Sequence, residues 1–235
     1  MKLLAISTST PHGSVALLDA DALPTAAREL ASASYDDLAG HAERLFSLID
    51  QVLQEGGVER SAIGAIACDI GPGSFTGVRV AVASAKGAAV ALGLPVIGVT
   101  SLEALAARAF AEGRAHPGDL VAAAVDAKKG EVFLAVFDAS QASLELVLPP
   151  CHVPRAAVAE VLAKAAEGRT LVLVGEPAAP LSEGPPPELP EAAWIGRVAA
   201  ARLFSGGGVD PAALEPLYVR PPDAKPFVAV AAATG

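Results

Sequence analysis

Cysteine is nearly absent from this 235-residue chain: there are two, Cys68 and Cys151, far apart in sequence. That excludes a disulfide framework and points to a reducing compartment. Aromatics make up only 4% of the residues, with a single Trp, so a core must be assembled from Ala, Val, Leu and Ile. Asn is missing and Gln is scarce, while Ala, Pro and Gly are plentiful, a bias that thermal adaptation and high-GC codon usage both produce. Basic residues are outnumbered, 17 Lys and Arg against 26 Asp and Glu, for a formal charge of −9. A face that grips a polyanion unaided is disfavoured by that balance. No run reaches about 18 apolar residues free of charge and glycine. The first residues enter a strand directly, without a signal-peptide pattern. A cytoplasmic protein with no membrane association is therefore expected. The four histidines, His12, His41, His116 and His152, show no metal-ligand spacing, and no metal site is expected.

Hydrophobic residues amount to 52%, enough for one large domain or two of about a hundred residues each. Residues 2–7 and 14–19 read as a strand pair around a turn at Pro11-His12-Gly13, with a third strand at 28–34. A helix follows over 37–55, with Leu38, Ala42, Leu45, Ile49 and Val52 on one face and Gly56-Gly57 ending it. Then come a strand at 65–68, a glycine-rich turn, a helix at 78–92, a strand at 96–99 and a helix to residue 111, capped by Thr100 or Ser101. The second half predicts strands at 120–126, 131–138 and 144–148, a helix at 155–166, a strand at 170–175 and a helix at 191–204. Residues 183–190 read as a proline-rich surface loop, and the tail after Pro221 lacks periodicity. The order three strands, helix, strand, helix thus occurs twice, implying an α/β chain of two mixed sheets with helices against them, divided into 1–102 and 103–235.

The run Gly71-Pro72-Gly73-Ser74-Phe75-Thr76-Gly77 joins a strand to a helix. Its glycines permit left-handed backbone and close approach, and Ser74 and Thr76 can cap the helix. Strand, glycine turn and helix start together make a potential anion site, with a tight turn as the plain alternative. The spacing is neither G-x-x-x-x-G-K-[ST] nor G-x-G-x-x-G.

The longer run GPGSFTGVRVAVASAKGAA, residues 71–89, resembles the TsaB (YeaZ) family of bacterial tRNA-modification proteins. The segments LLAISTST (3–10), HAERLFSLID (41–50), PVIGVTSLEAL (95–105), VDAKKGEVF (125–133) and EPLYVR (215–220) are similar to the same family, so the resemblance covers nearly the whole chain. It implies a duplicated actin-like (ASKHA, ribonuclease H-like) fold. It also implies a non-catalytic subunit that binds a TsaD-type transferase and supports threonylcarbamoyl transfer to the tRNA adenosine next to the anticodon, with a TsaE-like ATPase in a larger complex.

In the actin-like fold nucleotide sits between the domains, and many relatives carry an aspartate where this chain has Ser7, within Ala5-Ile6-Ser7-Thr8-Ser9-Thr10. The turn Ala127-Lys128-Lys129-Gly130 has one glycine where phosphate binding favours several, and Glu176 follows Gly175. Ser7, Thr8, Gly71, Gly73, Ser74, Thr76 and Gly77 are thus expected as an anion- or nucleotide-site remnant, with no catalytic residue and no cofactor. Ser101 and Leu105 stand where the transferase's two metal-binding histidines are expected. Cys151-His152, between prolines and without an orienting acid, make a poor dyad. Asp69 reads as a ligand-edge carboxylate or a turn residue. Arg79 is open to an anion, an ion pair with Asp69, or a partner chain.

The helix at 78–92 is apolar or small nearly all round. Val78, Val82, Ala85, Ala89 and Leu92 are expected to face the sheet, leaving a second stripe of Val80, Ala83, Gly87 and Ala91. A helix with one wet face should be polar there, so the second stripe predicts a partner, the plain alternative being that both faces pack within this chain. His41, Phe46 and Leu53 of the preceding helix and Arg79 complete the expected interface. It would serve a homodimer when the chain is alone and a TsaD-like partner otherwise, with tRNA reached only indirectly. The alternative is a nucleotide-dependent enzyme of the same fold, a small-molecule kinase or ATPase.

Overall fold

The computed structural model describes residues 1–20, 27–36, 41–140, 143–176 and 188–220, with the side chains of 41–43, 140 and 143 excepted. These residues build two sheets. The first holds β1 (Lys2–Ser7), β2 (His12–Asp19), β3 (Arg28–Asp36), β4 (Ile63–Asp69) and β5 (Val96–Val99), in the order β3-β2-β1-β4-β5. The second holds β6 (Leu120–Lys128), β7 (Glu131–Ser140), β8 (Ser143–Pro154) and β9 (Leu171–Gly175), in the order β8-β7-β6-β9. In each, the opening three strands form an antiparallel meander and the fourth lies parallel to the first. The same order is built twice. Among the described residues five α-helices accompany the sheets: α1 (His41–Glu55), α2 (Phe75–Leu92), α3 (Ser101–Ala111), α4 (Val158–Ala166) and α5 (Ala192–Phe204).

Period-2 alternation with apolar residues at both parities gives the inner strands β1, β2, β4, β6 and β7 two buried faces. β1 sends Leu4 and Ile6 toward α1 and α2, and Leu3 and Ala5 toward α5. β4 divides Ile66 and Cys68 from Ala65 and Ala67 in the same way. The α5 side is built of small residues. Gly196 leaves no room for a Cβ beside Leu18, so α5 lies close to the sheet. α3 does not cover the sheet it leaves. Its Leu102, Leu105 and Ala106 pack with Val121, Ala123 and Val125 of the second sheet. α4 closes that sheet's other face with Val158 and Leu162.

This exchange corrects the expected layout. Only the second half follows three strands, helix, strand, helix; the first adds β5 and the crossing helix α3. A division at 102/103 cuts α5 from the sheet it covers, because α5 packs on β1, β2, β4 and β5. From outside to outside the layers are α1 and α2, first sheet, α5 against α3, second sheet, α4.

Other differences are local. β8 runs to Pro154, so Cys151 and His152 are ladder residues opposite Leu134 and Phe133. The expected helix at 155–166 opens as a short 3₁₀ turn, Arg155–Ala157, before α4. Thr100 caps α3 by accepting from the Glu103 N–H at 3.1 Å, which leaves Ser101 for another use. The expected start of α1 at 37–40, most of the loop at 183–187 and the tail after 220 lie outside the described residues. Pro190, at the end of that loop, is buried. By length and apolarity α2 is the one described helix that could cross a membrane; here one side of it packs on the first sheet.

Candidate functional site: a sealed carboxylate and the cleft beside it

The carboxyl ends of β1 and β4 meet the glycine turn and the start of α3. β1 ends at Ser7 and runs into Thr8, Ser9 and Thr10, four small hydroxylated residues in a row, all buried. Buried hydroxyls require partners. Asp69, at the end of β4 and fully buried, provides the main acceptor. Its Oδ1 accepts from the Gly71 N–H at 2.8 Å and the Ser101 hydroxyl at 2.7 Å. Its Oδ2 accepts from Ser7 at 2.8 Å and Ser9 at 2.5 Å. Burial pushes the Asp69 carboxyl above its ordinary range, and the bonds from Ser9, Ser101, Gly71 and Ser7 pull it back in part.

The glycine turn lies directly on this hub. Ser74 N–H donates to the Ser9 carbonyl at 2.6 Å, and the Thr8 hydroxyl donates to the Gly77 carbonyl at 2.7 Å. A Cβ on Gly73 would overlap the Ser9 carbonyl, and one on Gly77 the Thr8 carbonyl. Gly71 adopts φ 89°. These glycines serve close backbone packing. Of the expected remnant residues, Ser7, Thr8, Gly71 and Gly77 are buried, and only Gly73, Ser74 and Thr76 line open space. Ser74 caps α2, accepting from the Gly77 N–H at 3.3 Å.

That space is a cleft of about 640 Å³ between the halves. The glycine turn and the first turn of α2 form one wall, and the β6–β7 turn and Glu176 the other. Residues 217–220 run along it, tied to the first half by the Leu217 N–H on the Ile70 carbonyl and to the second by Arg220 on the Ala127 carbonyl and Glu131. At the β6–β7 turn Lys128, Lys129 and Gly130 all have positive φ. The Lys128 ammonium binds Asp126 at 2.6 Å, and Arg155 binds the same carboxylate at 3.0 Å. Burial works against the charged Asp126, yet Lys128 and Arg155 hold it below the usual carboxylate range. Glu176 accepts the Asp126 N–H. Lys128 is thus engaged locally.

Arg79 forms no ion pair with Asp69, which is sealed within its hydroxyls. Its guanidinium stacks on the Phe75 ring, 3.7 Å from the centroid, and its Nε donates to the Tyr218 hydroxyl at 2.8 Å. Sequence reading missed this Phe75–Arg79–Tyr218 bracket because Tyr218 is 139 residues away. It also missed the Asp69 cage, for which the hydroxyl run at 7–10 was the available signal.

Neither thiol suits nucleophilic work. Burial raises Cys68 well above its ordinary value, and Asp69 beside it adds to this; burial also raises Cys151. Leu105, at an expected histidine position of the transferase, is core. No cluster of three His, Cys, Asp or Glu suited to a metal occurs among the described residues.

The expected partner face lies elsewhere, on the outer sides of α1 and α2. Phe46 is 59% exposed, and Ala83, Gly87 and Ala91 form an exposed stripe with Val90, which is 70% exposed. Three expectations change. Leu53 is core at 6% exposure, because α1 turns Leu48 and Leu53 inward along with Leu45, Ile49 and Val52. Val80 is half-buried against the same core. Leu92, expected on the sheet, is exposed, and Ala81 takes its place inside. His41 opens α1, but its side chain lies outside the described set.

Comparison with known proteins places these features. The family model described as TsaD, tRNA N6-adenosine threonylcarbamoyltransferase, matches residues 38–208. The chain is 40% identical over 133 residues to the tRNA threonylcarbamoyladenosine biosynthesis protein TsaB of Haemophilus influenzae, covering 57% of this chain and 52% of that protein. Against the protein of the same name from Escherichia coli it is 37% identical over 137 residues, covering 58% and 55%. The chain thus spans about half the length of these two relatives. The solved structure of YeaZ from Pseudomonas aeruginosa superposes with a TM-score of 0.71 at 32% identity, covering 92% of this chain and 99% of that one. With its twice-built strand order, a family model matched over residues 38–208 and a near-full-length likeness to YeaZ, the chain belongs to the TsaB/YeaZ family.

Proposed function

We propose that this chain is a cytoplasmic, non-catalytic subunit in the biosynthesis of threonylcarbamoyladenosine in tRNA, built on a duplicated actin-like fold. It docks a TsaD-type transferase through the outer faces of α1 and α2, within a larger assembly that includes a TsaE-like ATPase. The observation that carries this reading is the outward stripe Ala83, Gly87 and Ala91 of α2, together with the exposed Phe46 of α1. These side chains are too small to shield the helix and admit a second helix at close range. Phe46 is the kind of large apolar anchor that concentrates binding energy. A net charge of −9 makes direct tRNA binding unfavourable, so the transferase carries the tRNA. When the transferase is lacking, the same face pairs two copies of the chain about a two-fold axis.

The test is reconstitution of tRNA modification with purified partners. Ala83→Arg places an unpaired charge in the crossing and should reduce modified adenosine at least tenfold, while the melting temperature, read at protein concentrations low enough to keep the chain monomeric, stays unchanged because Ala83 is exposed. Cys151→Ala should leave modification intact. Full activity from Ala83→Arg would place the docking surface elsewhere. ATP turnover by the chain alone, lost with a change in the cleft, would favour the nucleotide-dependent enzyme.

A further inference from the structure

The cleft holds an arginine whose hydrogen-bonding capacity is largely unspent. Arg79 is fixed on two sides, by the Phe75 ring beneath and the Tyr218 hydroxyl at Nε. No other hydrogen bond and no ion pair engages it among the described residues, so its two terminal nitrogens are left with donor capacity at the cleft that Arg79 lines. A guanidinium that is already oriented loses little entropy on binding and presents a two-pronged donor edge suited to a carboxylate or phosphate. The rings that hold it are half-exposed, Phe75 at 49% and Tyr218 at 48%, with centroids 5.5 Å apart. Across the cleft Val125 and Phe133 add apolar wall.

Charge within the cleft runs against that of the whole chain. With the ion-pair partners included, Arg79, Lys128, Arg155 and Arg220 stand at the cleft against Asp126, Glu131 and Glu176, an excess of one positive charge (four minus three) in a chain of net charge −9. Asp126 is already neutralised by Lys128 and Arg155. An anion entering beside Arg79 would therefore meet an attractive local field. The volume of about 640 Å³ lies within the range of small-ligand sites.

We propose that this cleft binds a small organic anion, its carboxylate or phosphate on the outer edge of Arg79 and its flat apolar body against Phe75 and Tyr218. The inference is independent of the docking reading, since Arg79 points into the cleft from the edge of the exposed stripe of α2.

Three probes test it on the full chain: benzoate, phenyl phosphate and inorganic phosphate, each titrated to millimolar concentration while amide NMR shifts are followed. Benzoate or phenyl phosphate should bind saturably, with shifts confined to residues around the glycine turn, the β6–β7 turn and 217–220. The tighter of the two assigns the anion as carboxylate or phosphate. Arg79→Ala should weaken binding about tenfold or more, the loss of a charge-assisted hydrogen-bond pair. Phe75→Ala should weaken the ring-bearing probes more than inorganic phosphate, because it removes their apolar contact as well as one of the two supports of Arg79. Lys86→Ala, a cation further along α2 outside the cleft, should change nothing. Unaltered melting of each variant keeps a folding defect from passing as lost binding. Absence of saturable binding by both ring-bearing probes, or affinity unchanged in Arg79→Ala, overturns the proposal. So does binding of inorganic phosphate alone, which would mark an adventitious ion only.

Discussion

Asp69 shows how a single buried charge can organise three chain segments. Its two oxygens take four hydrogen bonds, two each, the full acceptor capacity of an ionised carboxylate. Asp69→Ala leaves three hydroxyls and one N–H without their acceptor in a dry site. It should cost about 3 kcal/mol or more, read by urea unfolding. The pH dependence has a definite sign. Burial raises the folded-state pKa of Asp69 above that of the unfolded chain, so the folded state binds more protons between the two values. The contribution of Asp69 is therefore largest below the ordinary carboxylate pKa, declines as pH rises through the raised folded value, and is flat beyond it. Wild type minus Asp69→Asn, measured as unfolding free energy against pH, should fall across that window; a rise would contradict the assignment. The importance of Asp69 was only half legible in the sequence. Its place at a strand's carboxyl edge could be read, and its bond to the Gly71 N–H is the turn role foreseen for it. Its bonds to Ser7, Ser9 and Ser101 could not be read, because they join positions up to 62 residues apart, brought together only by the pairing of β1 with β4 and the departure of α3.

Among the elements, α2 carries two kinds of glycine that look alike in sequence. Gly73 and Gly77, in and just after the turn that starts it, lie where a Cβ would meet a backbone carbonyl. Gly87 sits on the exposed stripe with nothing within 4 Å of the Cβ it lacks. Gly73→Ala and Gly77→Ala should each destabilise the chain by about 1–3 kcal/mol, since the strain falls on backbone that cannot turn aside. Gly87→Ala should instead stabilise it by about 0.5–1 kcal/mol, by restricting the unfolded chain inside a helix. Urea midpoints of the three variants at low protein concentration decide the matter, and equal losses at all three would refute the distinction. Strands and helices of the first half were legible because alternation and the 3.6-residue period are local. The length of β8 was not, since its second part is held by pairing with β7 across a bulge rather than by its own pattern. Placing Leu53 on the partner face failed for a related reason. α1 lies against both β2 and β3, and that broad floor buries a wider arc of the helix than a single stripe.

For the whole molecule the decisive feature is the exchange of α3 and α5, which the order of elements alone does not reveal. A repeat read along the chain assigns each helix to the half that precedes it, and that would make residues 1–102 a folding unit. The packing denies this. Without α5, the first sheet would expose Leu3, Leu18, Ile97 and Val99 on the face that α5 covers. At about 1.5–3 kcal/mol for each large side chain, those four alone amount to roughly 6–12 kcal/mol, comparable to the total stability of a domain. The second sheet would fare better in a fragment of residues 103–235, which keeps nearly all of α3, but it would carry α5 with no sheet to cover. Fragment 1–102 should therefore show no cooperative thermal transition by itself, and mixing it with 103–235 should restore one. In the intact chain, fluorescence of Trp194, the single tryptophan and a residue of α5, should change at the same temperature as the circular dichroism of both sheets. A cooperative melt of fragment 1–102 alone, or a Trp194 transition well separated from that of the backbone, would mean that α5 is an appendage and that the two halves fold independently.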